Sequence, residues 1–410
     1  MSGAESLRAL SADEAAHFSW TDDPPVRKIV AALEAAAPGS ARFVGGCVRD
    51  SLIGERPKDF DIATRLRPDD VIAALRRAGL GAAPTGIEHG TVTGIADHVG
   101  VEVTTLRADV STDGRRATVA FTDDWAKDAE RRDFRLNAIY LTTERLLYDP
   151  VGGVADAKAG RVRFIGAPED RIGEDYLRIL RFFRFSARFS PVLDAQGLAA
   201  ATALKYGLKR LSAERLGEEL SRILALPRAA PAVAAMAAAG ILAEIWRAPA
   251  RLDVFAALKK LDSSAPAPLG LAALWDAAEG IDAALRLSNA DAARRKRALS
   301  GARCLHAALS EQEARAAYYK IGVAAWRDAL LLARAQKPAG DWTRLDGLAA
   351  RWTPPAFPYT GKDVIAAGVE RGPAVSRVLK AVEEAWIAEE FPDLARLDAI
   401  LRIKVAGEFG

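Results

Sequence analysis

FVGGCVRDSLIGERPKDFDIAT, residues 43–64, is the stretch on which the reading of the chain turns. Residues 42–44 form a short apolar run that suits a strand, and Gly45-Gly46 breaks it. Residues 47–53 read as a short helix stopped by Gly54, and residues 60–63 open a second strand. Alternate side chains of a strand share a face, so Asp59 and Asp61, which bracket Phe60, point the same way. Two carboxylates on one face repel each other unless a cation lies between them, and Mg²⁺ favours carboxylates combined with water and substrate phosphates. Two glycines at a strand-to-helix turn let backbone N–H groups approach a phosphate closely. Arg49 and Lys58 add positive charge nearby. Together these parts describe a site for a nucleoside triphosphate with a metal. Asp-x-Asp and Gly-Gly each occur in many turns that do no chemistry. The ordered set of strand, Gly-Gly, Arg-Asp and Asp-x-Asp is far more specific.

Working outward, Asp23-Pro24-Pro25 opens a helix with a capping acid and proline in the first turn. A second helix, opened by Arg67-Pro68-Asp69-Asp70 and closed by Gly79, covers the sheet. Residues 87–122 read as β. Alternation there puts Val101 and Val103 on the core face and Glu102 on the other. A lone glutamate on a strand is ordinarily solvated; beside Asp59 and Asp61 it is a candidate third carboxylate. His89 falls in a turn before a strand, as a structural residue or a phosphate-side donor, and the polar residues 107–116 read as a loop.

Residues 125–141 carry apolar positions at helical spacing with Arg131-Arg132-Asp133 in the middle. The run is either a solvated charge cluster with i,i+4 pairs or an arginine pair whose guanidinium forks meet triphosphate oxygens. Residues 161–165 look like the last strand of a head domain. A helix is expected from Glu174 to Phe189, with Arg178, Arg181 and Arg184 at three-residue spacing among Tyr176, Phe182, Phe183 and Phe185. Arginines on so apolar a helix need partners, either Glu174 and Asp175 or a nucleotide and RNA. From about residue 195 the chain is Ala/Leu-rich and helical, with proline-rich breaks at 263–270 and 352–363.

The 410 residues, 50% hydrophobic and 27% charged, fit a soluble chain of about two to four domains. A net charge of +3 permits nucleic-acid binding without arguing for it. Two cysteines, Cys47 and Cys304, make neither a disulfide framework nor a zinc quartet. No apolar run approaches the ~20 residues that span a bilayer, and residues 1–18 lack a basic region followed by an apolar core. The expectation is a cytoplasmic protein with no membrane partner.

The ordered motifs over residues ~40–190 resemble the polymerase-β-like nucleotidyltransferases, and more narrowly the class II tRNA nucleotidyltransferase (CCA-adding) and poly(A) polymerase family. VGGCVRDSLIG and KDFDIAT look like its metal and nucleotide motif, VEVTTLR its next strand, RRDFRLNA its arginine-bearing segment, and GEDYLRILRFFRF its base-selecting helix. Arg135 departs from the family pattern, which usually has a small residue there. The resemblance implies an α+β fold: a small mixed or antiparallel sheet with helices over residues 24–165, then helical regions 166–262 and 263–410 that bind RNA. It implies that Asp59 and Asp61 hold two Mg²⁺ ions, with Glu102 a third catalytic carboxylate. Gly45, Gly46, Arg49, Arg132 and Asp133 would bind the nucleotide, with Arg181 and Arg184 nearby. Asp175 and Arg178, an acceptor and a donor at i,i+3, would match the amine-plus-ring-nitrogen edge shared by cytosine and adenine. The implied partners are tRNA, CTP and ATP, without DNA. The implied activity is untemplated CCA addition; poly(A), CC-only or A-only addition are the near alternatives, and a non-catalytic RNA binder is disfavoured by the carboxylate pair. A phosphohydrolase domain is excluded because no His-Asp doublet occurs among the four histidines.

Overall fold

The computed structural model describes residues 6–112, 117–277 and 279–408. The chain forms two compact units, Met1–Arg247 and Ala248–Gly410. The first begins with β1 (Leu7–Ala9), α1 (Ala12–Ala16), α2 (Pro24–Ala36), β2 (Ala41–Val44), α3 (Gly46–Leu52), β3 (Asp61–Thr64) and α4 (Pro68–Arg77). Next come β4 (Gly81–Gly86), β5 (Thr91–Ala96), β6 (Val99–Thr105), β7 (Arg107–Thr112) and β8 (Ala117–Phe121). α5 (Trp125–Glu130), β9 (Tyr140–Thr142), β10 (Leu146–Tyr148) and α6 (Gly153–Lys158) follow, then α7 (Pro168–Glu174), α8 (Leu177–Phe189), α9 (Ala195–Leu204) and α10 (Ala213–Ala225). Among its described residues the second unit holds helices and no strand. One of its cores gathers Val378, Val382, Trp386, Leu397 and Ile400.

Eight strands make one mixed sheet in the order β1-β10-β9-β2-β3-β6-β5-β4, and β7 and β8 form a separate hairpin. Within the sheet β3 and β6 run parallel, and the other neighbours are antiparallel. The expected α+β class, a mixed-sheet head followed by helices, is what the chain adopts. The sheet also takes in Leu7–Ala9 as an edge strand, upstream of residue 24.

The apolar spacing of α2 and α4 explains one covered face of the sheet: Val26, Ile29, Leu33, Val71 and Leu75 are fully buried. Val44, Ala63, Leu106, Trp125 and Tyr140 form a separate buried cluster. Near the start of β3 the Trp20 ring stacks on Phe60 at 4.9 Å and meets Phe43 edge-on at 4.9 Å. The Trp20 indole N–H donates to Ser51 Oγ at 2.8 Å. This packing pins the residue that separates Asp59 from Asp61.

Four local expectations change. Helix ends at Glu130 rather than continuing to 141; a 3₁₀ turn at Arg135–Asn137 and strand β9 replace the rest. Asp133 is the local cause, since its Oδ1 accepts from the Phe134 N–H at 2.8 Å and competes with helical bonding. Residues 161–165 do not form a strand of the sheet; they pair with the same turn through an isolated Phe134–Phe164 bridge. The helix expected from Glu174 is broken at Asp175, whose backbone is extended (φ −153°, ψ 107°) between α7 and α8. Where a loop was expected over residues 107–116, β7 and β8 pair antiparallel, and residues 113–116 lie outside the described residues.

Candidate active site

β2 delivers the chain to Gly45, whose φ of 75° and ψ of −125° are open to glycine and strained for other residues. Its carbonyl accepts from the Arg49 N–H at 3.0 Å and its N–H donates to the Ile139 carbonyl at 3.3 Å. A Cβ at Gly45 would sit 3.9 Å from Asp61 Oδ2 and 3.8 Å from Arg132 Nη1. The turn therefore lies against both a carboxylate and a guanidinium. Arg49, one turn into α3, is 5% exposed. Its Nε and Nη2 donate to Asp50 Oδ1 at 2.8 and 2.6 Å, and Nη1 donates to Asn137 Oδ1 at 2.5 Å.

Asp61 opens β3 and is registered against Glu102 on parallel β6. Residues in register on neighbouring parallel strands project to the same face, so these carboxylates are neighbours as expected. Asp59 is not on the strand: it lies in an exposed bend two residues earlier. Ladder bonding reaches back only as far as the Phe60 carbonyl, which accepts from the Glu102 N–H at 3.1 Å, and Pro57 has no N–H to give. Burial, then the charges of Glu102 and Asp59, push the Asp61 carboxyl up to about 6, against the pull of Arg132 and Arg49. Asp61 thus feels repulsion from two other carboxylates. No group of three or more His, Cys, Asp or Glu close enough to hold a metal occurs among the described residues. A hard cation would therefore complete its shell with water or substrate oxygen.

The segment after α5 supplies the arginines. Asp128 is buried and accepts from Arg131 Nε at 2.7 Å, Arg132 Nη2 at 3.0 Å and the Tyr140 hydroxyl at 2.8 Å. Burial alone would raise its carboxyl, but these partners hold it well below the usual carboxylate range. Burial also opposes the charge on Arg132, and Tyr140 and Asp128 outweigh it, so the guanidinium stays cationic. Asp133 accepts on Oδ1 from Asn137 Nδ2 at 3.1 Å and on Oδ2 from Arg181 Nε at 2.7 Å. Despite burial its carboxyl is depressed by Arg181 and Asn137. A continuous polar chain results: Arg181, Asp133, Asn137, Arg49, Asp50, then Arg188, which donates to Asp50 Oδ2 at 3.0 Å.

At the α7–α8 break, the Arg178 N–H donates to the Asp175 carbonyl at 3.0 Å, but their side chains take other partners. Asp175 Oδ1 accepts from the Leu177 N–H at 3.1 Å and Oδ2 from Arg215 Nη2 at 2.7 Å. Arg178 is paired with Glu174 and donates to the carbonyls of Arg171 at 2.9 Å and Arg131 at 3.2 Å. Arg184 donates to Glu219 at 2.5 Å and its guanidinium lies 4.4 Å from the Phe185 ring centre. Proteinaceous partners for these arginines therefore exist, and each still lines open space.

A cavity of about 470 Å³ gathers Gly45, Gly46, Arg49, Asp61, Arg132, Asp133, Asp175, Arg178, Arg181 and Arg184, with Arg131, Asn137, Phe185 and Arg188 beside them. Asp61, Arg131 and Arg132 also line a second cavity of about 210 Å³ that takes in Glu102, Thr104 and Arg107. Asp59 lines neither. Arg135 and His89 also line neither. Asn137, Arg188 and Arg215 were missed by sequence reasoning, whereas Glu174 was expected as an arginine partner and pairs with Arg178. Arg188 could have been found, since it continues the 178, 181, 184 series by one turn; Asn137 carries no such signal.

Two family models match the chain: "Poly A polymerase head domain" over residues 41–163, and "Probable RNA and SrmB- binding site of polymerase A" over residues 193–250. The chain is 34% identical over 361 residues to the mitochondrial CCA tRNA nucleotidyltransferase 1 of Mus musculus, covering 84% of this chain and 82% of that protein. It is 29% identical over 374 residues to the CCA-adding enzyme of Levilactobacillus brevis, covering 86% and 91%. Its fold matches the crystal structure of the Bacillus stearothermophilus CCA-adding enzyme in complex with CTP, with a TM-score of 0.70 and 27% identity over 90% of this chain and 94% of that one. No helix among the described residues is long and apolar enough to cross a membrane.

Proposed function

The chain belongs to the CCA tRNA nucleotidyltransferase family, and on that footing we propose that it adds CCA to the 3′ end of tRNA from CTP and ATP without a nucleic-acid template. The observation that carries this reading is a single cavity in which Asp61, the Gly45–Gly46 turn, Arg132 and the Asp175–Arg178 turn all meet. In the reaction the RNA 3′ oxygen bonds to the α-phosphorus, the bond to the β-phosphate oxygen breaks, and pyrophosphate leaves with that electron pair. The hydroxyl proton is released. Such a transfer depends mainly on positioning and charge neutralisation.

Asp59 and Asp61 would hold Mg²⁺, with Glu102 close by. The donor set suits a hard cation, because oxygen ligands and mutual repulsion at Asp61 both favour one. Bound there, Mg²⁺ would neutralise charge on the transferring phosphate and the leaving pyrophosphate; two ions is the form expected of this reaction class. Arg132 would turn its Nη1 side toward the phosphates at the Gly45 turn, where it lies already. Arg49, bonded to Asp50 and Asn137, would act as a fixed positive wall. Asp133 would fix Arg181 at the cavity edge, with Arg184 nearby.

Base choice would rest on Asp175 and Arg178. A carboxylate accepts from the exocyclic amine of cytosine or adenine, and a guanidinium donates to the adjacent ring nitrogen. Uracil and guanine offer the reverse pattern and would leave both groups unpaired, a mismatch that discriminates strongly. Each side chain is braced separately, Asp175 by Arg215 and Arg178 by Glu174, so the pair is set before a base arrives. The test offers each labelled nucleotide in turn to tRNA lacking CCA. CTP incorporation first, ATP only after it, and none of UTP or GTP supports the reading; poly(A) tails, or CC or A alone, would replace it with the corresponding relative activity.

A further inference from the structure

We propose that Arg188 is a positioning residue for the nucleotide site, acting through Asp50 to hold Arg49 at the cavity wall. This rests on the nucleotidyl transfer proposed above. The polar chain that starts at Arg181 returns to its own helix. Arg181 donates to Asp133, Asn137 joins Asp133 to Arg49, and Arg49 donates to Asp50. Arg188 then donates to the other Asp50 oxygen, Oδ2, at 3.0 Å. Arg181 and Arg188 both stand on α8, about two turns apart. The helix and the polar chain therefore form a closed ring, and Arg49 on α3 is a member of it. Arg188 closes the ring.

Closure matters because the two oxygens of Asp50 serve different arginines. Oδ1 receives Arg49 Nε and Nη2 at 2.8 and 2.6 Å, while Oδ2 receives Arg188. Asp50 is buried, and a carboxylate oxygen left unpaired there carries a desolvation cost. Rotation of the carboxyl to relieve that cost would break its fork to Arg49. Burial already opposes the charge on Arg49, and Asp50 offsets part of this, so a loosened Asp50 frees the cation that forms the wall. Phe189 adds a second link. Its ring centre lies 4.4 Å from the Arg49 guanidinium carbon and 4.6 Å from that of Arg188. Arg188 also donates to the exposed Glu55 at 2.9 Å, outside the ring. Arg178 is braced separately, by Glu174 and by the Arg131 carbonyl. Loss of Arg188 should therefore disturb the phosphate wall and spare base choice.

The test compares variants of the full chain on tRNA lacking CCA. Arg188→Gln should raise KM for both CTP and ATP about tenfold, leave kcat within about threefold and keep the ratio of CTP to UTP incorporation. Arg188→Lys should recover most of the loss, and Glu55→Gln should stay within about twofold of wild type. Adding Arg188→Gln to Asp50→Asn should cost about threefold at most beyond Asp50→Asn alone, because both open the same ring. A readout independent of activity is hydrogen exchange at the Arg49 Nε–H, followed by NMR and assigned with Arg49→Lys. That exchange should quicken about tenfold or more in Arg188→Gln, and it decides the matter if Asp50→Asn does not fold by circular dichroism. Unchanged exchange, losses that multiply in the double variant, or an equal fall with Glu55→Gln would overturn the assignment. Failure of the wild-type chain to extend any RNA would instead overturn the proposed function, on which the exchange measurement does not depend.

Discussion

Asp133 Oδ2 takes both Nε and Nη2 of Arg181, at 2.7 and 2.6 Å, and so ties the turn after α5 to helix α8. Asp133 is buried, and this contact spans 48 residues of sequence. It joins the segment that brings Arg131 and Arg132 to the cavity to the helix that brings Arg178 and Arg184.

Removing one partner of a buried pair leaves an uncompensated charge. Asp133→Ala should therefore cost on the order of 3 kcal/mol of stability and also weaken nucleotide binding. Urea unfolding and equilibrium binding of CTP check the two effects. Unchanged stability would mean that Arg181 finds another partner.

Gly45→Ala should act mainly on activity. Holding a side chain at φ 75° costs about 1–3 kcal/mol, and relaxation of the turn would move its neighbours Asp61 and Arg132. Incorporation should drop far more than the thermal midpoint. Equal losses in both would assign the glycine a purely structural role.

Acid should destabilise the first unit through Asp128 and Asp133, whose carboxyls are both held below their ordinary values. For such groups the stabilisation is full above the unfolded value, near 3.9, and is lost as pH falls through the folded one. The contribution of these two carboxylates to the urea midpoint should hold from pH 7 to about 5 and fall below pH 4. Asp128→Asn should be less stable at pH 7 and lose less on acidification.

The two thiols should differ in reactivity. Burial, then the charge of Asp61, push the Cys47 thiol up to about 12, and the thiolate is the reactive form. Cys304 is exposed. Iodoacetamide at pH 8 should label Cys304 in the native protein and both cysteines in denaturant, as peptide mass mapping would show.

Much of this site was legible because its central parts are local. Strand, Gly-Gly turn and helix occupy residues 41–52, and alternation alone placed Glu102 off the core face. Asp61 and Glu102 then needed only a parallel strand pair to meet. What was not legible is held by distant partners. The helix expected through residue 141 stops at Glu130, where Asp133 is claimed by Arg181 and Phe134 pairs with Phe164. The helix expected from Glu174 breaks at Asp175, which Arg215 holds from 40 residues away. Asn137 became part of the site only through Arg49, 88 residues distant. Periodicity reports which face of an element is apolar; it carries no record of such partners.

Removing the charge of Arg178 should change nucleotide choice before it changes catalysis. Arg178→Ala should narrow the ratio of CTP to UTP incorporation by about tenfold or more, because a lost donor no longer leaves the wrong base unpaired. Single-nucleotide competition measures it. A uniform fall in all nucleotides would place Arg178 in binding rather than selection.

The central claim is tested most directly by sequencing product ends after incubating tRNA lacking CCA with the chain, Mg²⁺, CTP and ATP, using Asp61→Ala as the control. The account predicts growth by CCA followed by a halt, and no growth with Asp61→Ala. Long adenosine tails, or full CCA addition by Asp61→Ala, would contradict it.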